Sequence, residues 1–161
     1  MTLAASLLSP VANAHFTLTT PAPIGTDIGG ERATPCGGFD PYDRSNVTEW
    51  PVDGIDVAWD STNATAGWEL SAVLVNGTDA NADTDFSSKF NLRTLYTSTV
   101  GPFCLAKVRG VAEWVGEDAV LQVRQWVGNG NYLYACSAIK FVNTEAPAST
   151  CNANPGKMFR A

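Results

Sequence analysis

Histidine is almost missing from this chain: 161 residues contain one, His15. Positive charge is sparse as well. Ten lysines and arginines face 16 aspartates and glutamates, giving a net charge of −6. Nucleic-acid binding needs clustered cations against phosphates, so no nucleic-acid partner is expected. No apolar run approaches the roughly 18 residues of a membrane-spanning helix. No Cys-x-x-Cys pair marks a zinc or redox site, and no Gly-x-Ser-x-Gly elbow surrounds a serine. No internal repeat is present. Charged residues make up only 16%, too few for a coiled coil, and 45% hydrophobic residues are too many for disorder. The length suits one buried core.

Glycine and proline are plentiful, at 14 and 9 residues, and favour turns and short strands. Ile55 to Asp60 alternates, with Ile55, Val57 and Trp59 on one face. His15 to Thr19 and Tyr132 to Val142 alternate too. Trp68 to Val75, Val111 to Val115 and Ala119 to Val127 are further strand candidates, and Gly128-Asn129-Gly130-Asn131 signals a hairpin. Asp85 to Tyr96 suits a short helix or a strand. Pro21 to Tyr42 reads as a long loop and Glu145 to Ala161 as a polar tail. Strands joined by short turns without helical periods predict an all-β fold, an antiparallel sandwich of seven or eight strands over residues 15–145. The polar C-terminal tail, 146–161, is tied down by Cys151.

Residues 1–14 read as a secretory signal peptide. Leu3 to Leu8 is its apolar core and Ala12-Asn13-Ala14 a small-x-small cleavage site. The basic leading region is missing, which points to a truncated start. Asn46-Val47-Thr48, Asn63-Ala64-Thr65 and Asn76-Gly77-Thr78 are N-glycosylation acceptors at Asn46, Asn63 and Asn76. Four widely spaced cysteines in an oxidising compartment imply two disulfides, with three possible pairings. We expect Cys36–Cys136, joining the long loop to a late strand, and Cys104–Cys151, pinning the tail. The expected location is secreted or cell-surface.

Cleavage after Ala14 makes His15 the mature N-terminus. Its free amine and ring nitrogen then close a chelate on one metal. Copper(II) prefers such nitrogen-rich tetragonal sites and tops the affinity order of divalent ions. The carboxylates Asp53, Asp56, Glu69, Asp83 and Asp85 read as solvated surface rather than a glycosidase pair. Of the five tryptophans, Trp59 fits a core face, and Trp126 is the one most suited to an exposed carbohydrate platform.

His15-Phe16-Thr17-Leu18, Pro35-Cys36-Gly37-Gly38-Phe39, Ser45-Asn46-Val47-Thr48, Trp50-Pro51, Gly101-Pro102-Phe103-Cys104-Leu105 and Asn131-Tyr132-Leu133-Tyr134-Ala135-Cys136 occur in an order that resembles fungal secreted proteins. These are the lytic polysaccharide monooxygenase-like proteins of the copper acquisition factor family. The resemblance covers nearly all of residues 15–142. It implies an immunoglobulin-like β-sandwich, an N-terminal copper histidine, frequent GPI anchoring and copper binding without oxidative polysaccharide cleavage. An anchor signal would lie beyond this chain, which ends without an apolar tail. The family's copper site adds a second histidine and a carboxylate. The second histidine is expected near Trp59 to Asn63, where none exists, and Ala138 stands where relatives often carry an acid. Only His15 carries over, and Asp60 is the candidate replacement ligand.

Three functional classes follow. The first is a monomeric, non-catalytic copper-binding surface glycoprotein with a degenerate site, active in copper handling or in contact with cell-wall polysaccharide. The second is a metal-free structural or adhesive glycoprotein. The third is an oxidative polysaccharide-cleaving copper enzyme, disfavoured by the missing imidazole. Copper titration separates the first two, and release of oxidised oligosaccharides would be needed to support the third.

Overall fold

A computed structural model describes residues 14–75 and 86–151, together with the backbone of residues 158–160. Nine strands occur among the described residues: β1 Phe16–Thr20, β2 Val47–Pro51, β3 Ile55–Ser61, β4 Ala66–Leu74, β5 Phe90–Thr97, β6 Gly101–Val108, β7 Asp118–Trp126, β8 Tyr132–Val142 and β9 Met158–Arg160. They form a three-stranded sheet, β1-β3-β6, and a six-stranded sheet, β2-β8-β7-β4-β5-β9. The all-β sandwich expected from the alternating runs is therefore what the chain forms. No helix among the described residues is long and apolar enough to cross a membrane.

The two sheets are held face to face by their inward aromatic and aliphatic side chains. Phe16 of β1 meets the edge of Trp68 of β4, with ring centroids 5.2 Å apart. Trp59 of β3 lies 4.9 Å from the same Trp68 ring and 5.8 Å from Phe103 of β6. Leu70, Leu95, Leu121, Val123, Leu133, Ile139 and Phe141 complete this core from the larger sheet. A fully buried aromatic or branched side chain stabilises by about 1.5–3 kcal/mol, so this inter-sheet cluster dominates the fold. Polar ring atoms need partners inside it. The Trp68 indole donates to Thr97 Oγ1 at 2.9 Å, and the Trp50 indole to the Val108 carbonyl at 3.1 Å.

Three local details differ from the sequence expectation, and one open choice is decided. Val111 to Val115 is not a strand. Ala112–Trp114 is a single 3-10 turn closed by the Trp114 N–H on the Val111 carbonyl, between Gly110 and Gly116. Among the described residues no strand pairs with this segment. Asp85 to Tyr96, open to a helix or a strand, takes the strand form from Phe90 onward as β5. Within the expected polar tail, β9 adds an edge strand against β5. Finally, β2 runs parallel to β8, so the larger sheet is not wholly antiparallel.

The loop from Pro21 to Tyr42 is fastened along the edge of β8 that β2 leaves open. Ile24 N–H donates to the Cys136 carbonyl at 2.8 Å, and Tyr134 N–H donates to the Glu31 carbonyl at 2.7 Å. Cys36 is disulfide-bonded to Cys136 in the same strand. Gly37 sits at φ 66°, where a Cβ would come within 2.6 Å of the Tyr134 carbonyl oxygen. Only glycine permits both that backbone and that approach. This fastening places Glu31 between β8 and the start of β1. The second disulfide, Cys104–Cys151, ties the segment beyond β8 to β6.

Candidate metal centre

His15 stands immediately before β1, at the edge of the smaller sheet. Its carbonyl accepts the Thr62 N–H at 3.0 Å, and its own N–H donates to Thr62 Oγ1 at 2.9 Å. Those bonds continue the β1–β3 ladder by one residue and fix the backbone of the lone histidine. Strand alternation then sends Phe16 into the core, where it is 3% exposed, and leaves the His15 ring half-buried at the surface.

Glu31 is the residue that meets this histidine. Its Oε2 lies 2.7 Å from His15 Nδ1, and its Oε1 accepts the Phe16 N–H at 3.1 Å. Phe16 N–H points away from β3, on the unpaired edge of β1, so the carboxylate supplies the partner that edge lacks. Glu31 is only 6% exposed. Burial pushes its carboxyl above the usual range, against the downward pull of the His15 and Phe16 hydrogen bonds. Among the described residues its one ion-pair partner is His15.

This pairing is absent from the sequence-based site. Glu31 lies in a Gly- and Pro-rich loop, 16 residues from His15, where acidic residues ordinarily face water. The sole hint is its nearness to Cys36, whose disulfide draws the loop onto β8. Asp60 falls on the same outer face of the smaller sheet as His15, two residues before Thr62. It is an exposed residue of β3, in register with Thr17, and it lines a surface hollow with Thr19, Pro102 and Thr150. Among the described residues the one cluster of three potential metal-ligating side chains is Asp56, Cys104 and Cys151. Both of its sulfurs are locked in a disulfide, so it offers no thiolate.

The other sequence candidates are dispersed. Asn46 is exposed just before β2, and Asn63 occupies the turn after β3, where its Oδ1 accepts the Thr65 N–H at 3.3 Å. Asn76, Asp83, Asp85 and the Ala12-Asn13 part of the cleavage site lie outside the described residues. Asp53 is exposed in the turn between β2 and β3.

A nitrogen-donor histidine at the head of β1, on a two-sheet β sandwich with two disulfides, is the arrangement into which comparison with known proteins fits. The family model for copper acquisition factor, BIM1-like, matches residues 13–156. The chain belongs to the BIM1-like copper acquisition factor family. No curated protein matches the chain. Among solved structures, fusolin from the spindles of Wiseana spp entomopoxvirus aligns with a TM-score of 0.48 at 12% identity, over 75% of this chain and 51% of that one. A second entomopoxvirus fusolin gives a TM-score of 0.45 at 14% identity, over 73% and 48%. The chain spans about half the length of these structures.

The residues present suit a copper ion. His15 supplies an imidazole nitrogen at Nδ1, and a terminal amine if the chain is cut before it. Glu31 holds a carboxylate oxygen at that same nitrogen, buried and with no lysine or arginine ion-paired to it among the described residues. Nitrogen donors backed by a carboxylate match the preference of Cu(II).

Proposed function

We propose that this protein is an exported surface glycoprotein that binds one copper ion at His15 without catalysing polysaccharide oxidation. The observation that carries this reading is the buried Glu31 carboxylate set on the Nδ1 of the chain's single histidine. Removal of residues 1–14 frees the His15 amine, and amine and Nδ1 then belong to one six-membered chelate ring. Glu31 supplies an oxygen donor beside the ring of a chain that has no second histidine. Copper, when bound, would bring a redox-active Lewis acid to the head of β1. The chain's own part is to hold the ring, the carboxylate and the β1 backbone in fixed relation.

Metal binding must release any proton on the amine and the imidazole, so affinity falls as pH falls. Replacing one imidazole by a carboxylate gives a weaker copper site than two rings would. The test is calorimetric copper titration of secreted protein whose N-terminus has been sequenced. One equivalent should bind to protein starting at His15. Protein retaining Ala14, and the His15→Ala variant, should each lose most of that binding. No uptake at micromolar copper overturns the reading in favour of a metal-free adhesive glycoprotein, and equal uptake by the extended protein overturns the His15 chelate.

A further inference from the structure

The outer face of the six-stranded sheet carries two cross-strand rows. The first runs Tyr96 on β5, Gly67 on β4, Trp126 on β7 and Tyr132 on β8, each in register with the next. The second lies two residues further along the strands and runs Thr94, Glu69, Arg124 and Tyr134. At about 4.8 Å per strand, either row spans roughly 14 Å. The residues of the first row, with Glu69, Arg124 and Thr94, line an open cleft of about 260 Å³.

Three features set this face apart from ordinary surface. Trp126 is 42% exposed and Tyr96 46%, in one continuous patch, and exposed aromatic patches mark binding surfaces. Gly67 occupies the middle of a strand, where glycine marks a close approach. The space its side chain would take is used by the Tyr96 ring, one carbon of which would lie 3.0 Å from a Cβ there, so the aromatic surface sits low on the sheet. Beside it, Glu69 is clamped by Arg124 at 2.8 Å and Lys89 at 2.6 Å, and the Arg124 guanidinium lies 4.3 Å from the centre of the Tyr132 ring. The polar groups are thereby held in place next to the rings.

The same face is closed higher up. There Val120 and the Cys36–Cys136 disulfide pack with Ile24, Val75 and Phe86. The cleft is therefore the stretch of the sheet that the long loop leaves uncovered.

A row of aromatic faces next to a fixed row of donors and acceptors matches one ligand chemistry. A pyranose ring offers an apolar C–H face, attracted to the negative face of an aromatic ring, and a rim of hydroxyls. The anion and cations at the floor are already spent on one another, and the chain as a whole carries −6, so neither an acidic nor a nucleic-acid polymer is favoured. We propose that this cleft binds neutral pyranose polysaccharide, with Tyr96 and Trp126 as the stacking platform and Glu69 and Arg124 as the hydroxyl partners. It is separate from the His15–Glu31 pair and independent of the copper reading.

The test is affinity electrophoresis of the whole secreted protein through gels containing neutral glucans or a soluble chitin derivative, with alginate as the acidic comparison. Wild-type protein and His15→Ala should both be retarded by at least one neutral polymer. Trp126→Ala and Tyr96→Ala should each weaken retardation by roughly tenfold, as loss of a stacking ring would. Val100→Ala removes an exposed apolar side chain outside the cleft and should change nothing. Absence of retardation in every neutral gel overturns the proposal, as does retardation by alginate alone. So does equal retardation of wild type and a folded Trp126→Ala protein, with folding checked by circular dichroism.

Discussion

The Asp56 carboxylate receives the backbone N–H of Cys151 at 3.1 Å, next to the disulfide that joins Cys151 to Cys104. The same oxygen accepts from Thr150 N–H at 2.7 Å and from Ser149 Oγ at 3.0 Å, while the other oxygen accepts from Lys107 N–H at 3.1 Å. One side chain of β3 thus fastens both β6 and the segment that follows β8.

That fastening has a pH signature. Partial burial tends to raise the Asp56 carboxyl, but the donors from Lys107, Thr150, Ser149 and Cys151 together outweigh it and hold it below its ordinary 3.8. A lowered folded-state value means that the unfolded chain takes up the proton first. The stabilising contribution is therefore complete above the unfolded value and is lost as pH drops below about 4 toward the folded value. Asp56→Asn should abolish this part of the acid sensitivity. Chemical denaturation from pH 6 to pH 3 should show a shallower decline in the variant than in wild type. Parallel declines would show that Asp56 does not carry it.

The Cys104–Cys151 bridge closes a loop of 47 residues. Restricting the unfolded chain over such a loop contributes about 2–4 kcal/mol. The double variant Cys104→Ser, Cys151→Ser should lower the unfolding free energy by that amount in urea. Because Asp56 still holds Ser149 and Thr150, the spectroscopic signature of the sandwich should persist. Loss of native β signal in the double variant at 25 °C would show that the bridge is required for folding itself.

Arg44 clasps the far end of the larger sheet. Its guanidinium donates to the carbonyls of Ala119 and Ile139, both at 2.7 Å, and to Asp118 Oδ1 at 3.0 Å. Carbonyls of two adjacent strands, β7 and β8, therefore converge on one cation. Hydrogen bonds to a charged group are worth about 1.5–3 kcal/mol, so Arg44→Ala should cost about that much in urea denaturation. Lysine cannot reproduce the fork, and Arg44→Lys should recover only part of the loss. Full recovery by lysine would reduce the clasp to simple charge.

The sandwich was legible because its signal is periodic. Ile55, Val57 and Trp59 alternate, and all three are buried facing the larger sheet. Trp126 likewise fell on the outer face, opposite Leu121 and Val123, as alternation required. β2 left no such trace, since Val47–Pro51 is a five-residue edge strand with only its last two residues buried. β6 opens on Gly101-Pro102, which reads as a turn until the pairing with β3 is known. His15 stood out by scarcity. Glu31 could not, because its importance comes from a loop folding back through Cys36, Tyr134 and Gly37 onto β1. Sequence distance carries no trace of that approach.

Glu31 separates a structural role from a metal-binding one. Glu31→Ala leaves the Phe16 N–H and the His15 ring without their partner, and an orphaned buried donor costs about 1–3 kcal/mol. That variant should be less stable and should also bind copper less tightly. Glu31→Gln is nearly isosteric. Its amide oxygen can still accept the Phe16 N–H, and it removes a carboxylate whose burial is unfavourable. In metal-free form it should therefore unfold at nearly the wild-type urea concentration. Copper loses an anionic oxygen donor, so its affinity should drop by roughly tenfold or more, as a single lost carboxylate interaction implies. The electron paramagnetic resonance spectrum of the bound Cu(II) should shift as well, since one oxygen donor would have changed character. A Glu31→Gln protein with wild-type copper affinity and an unchanged spectrum would confine Glu31 to holding His15 and the edge of β1, and would leave the oxygen position to water or another residue.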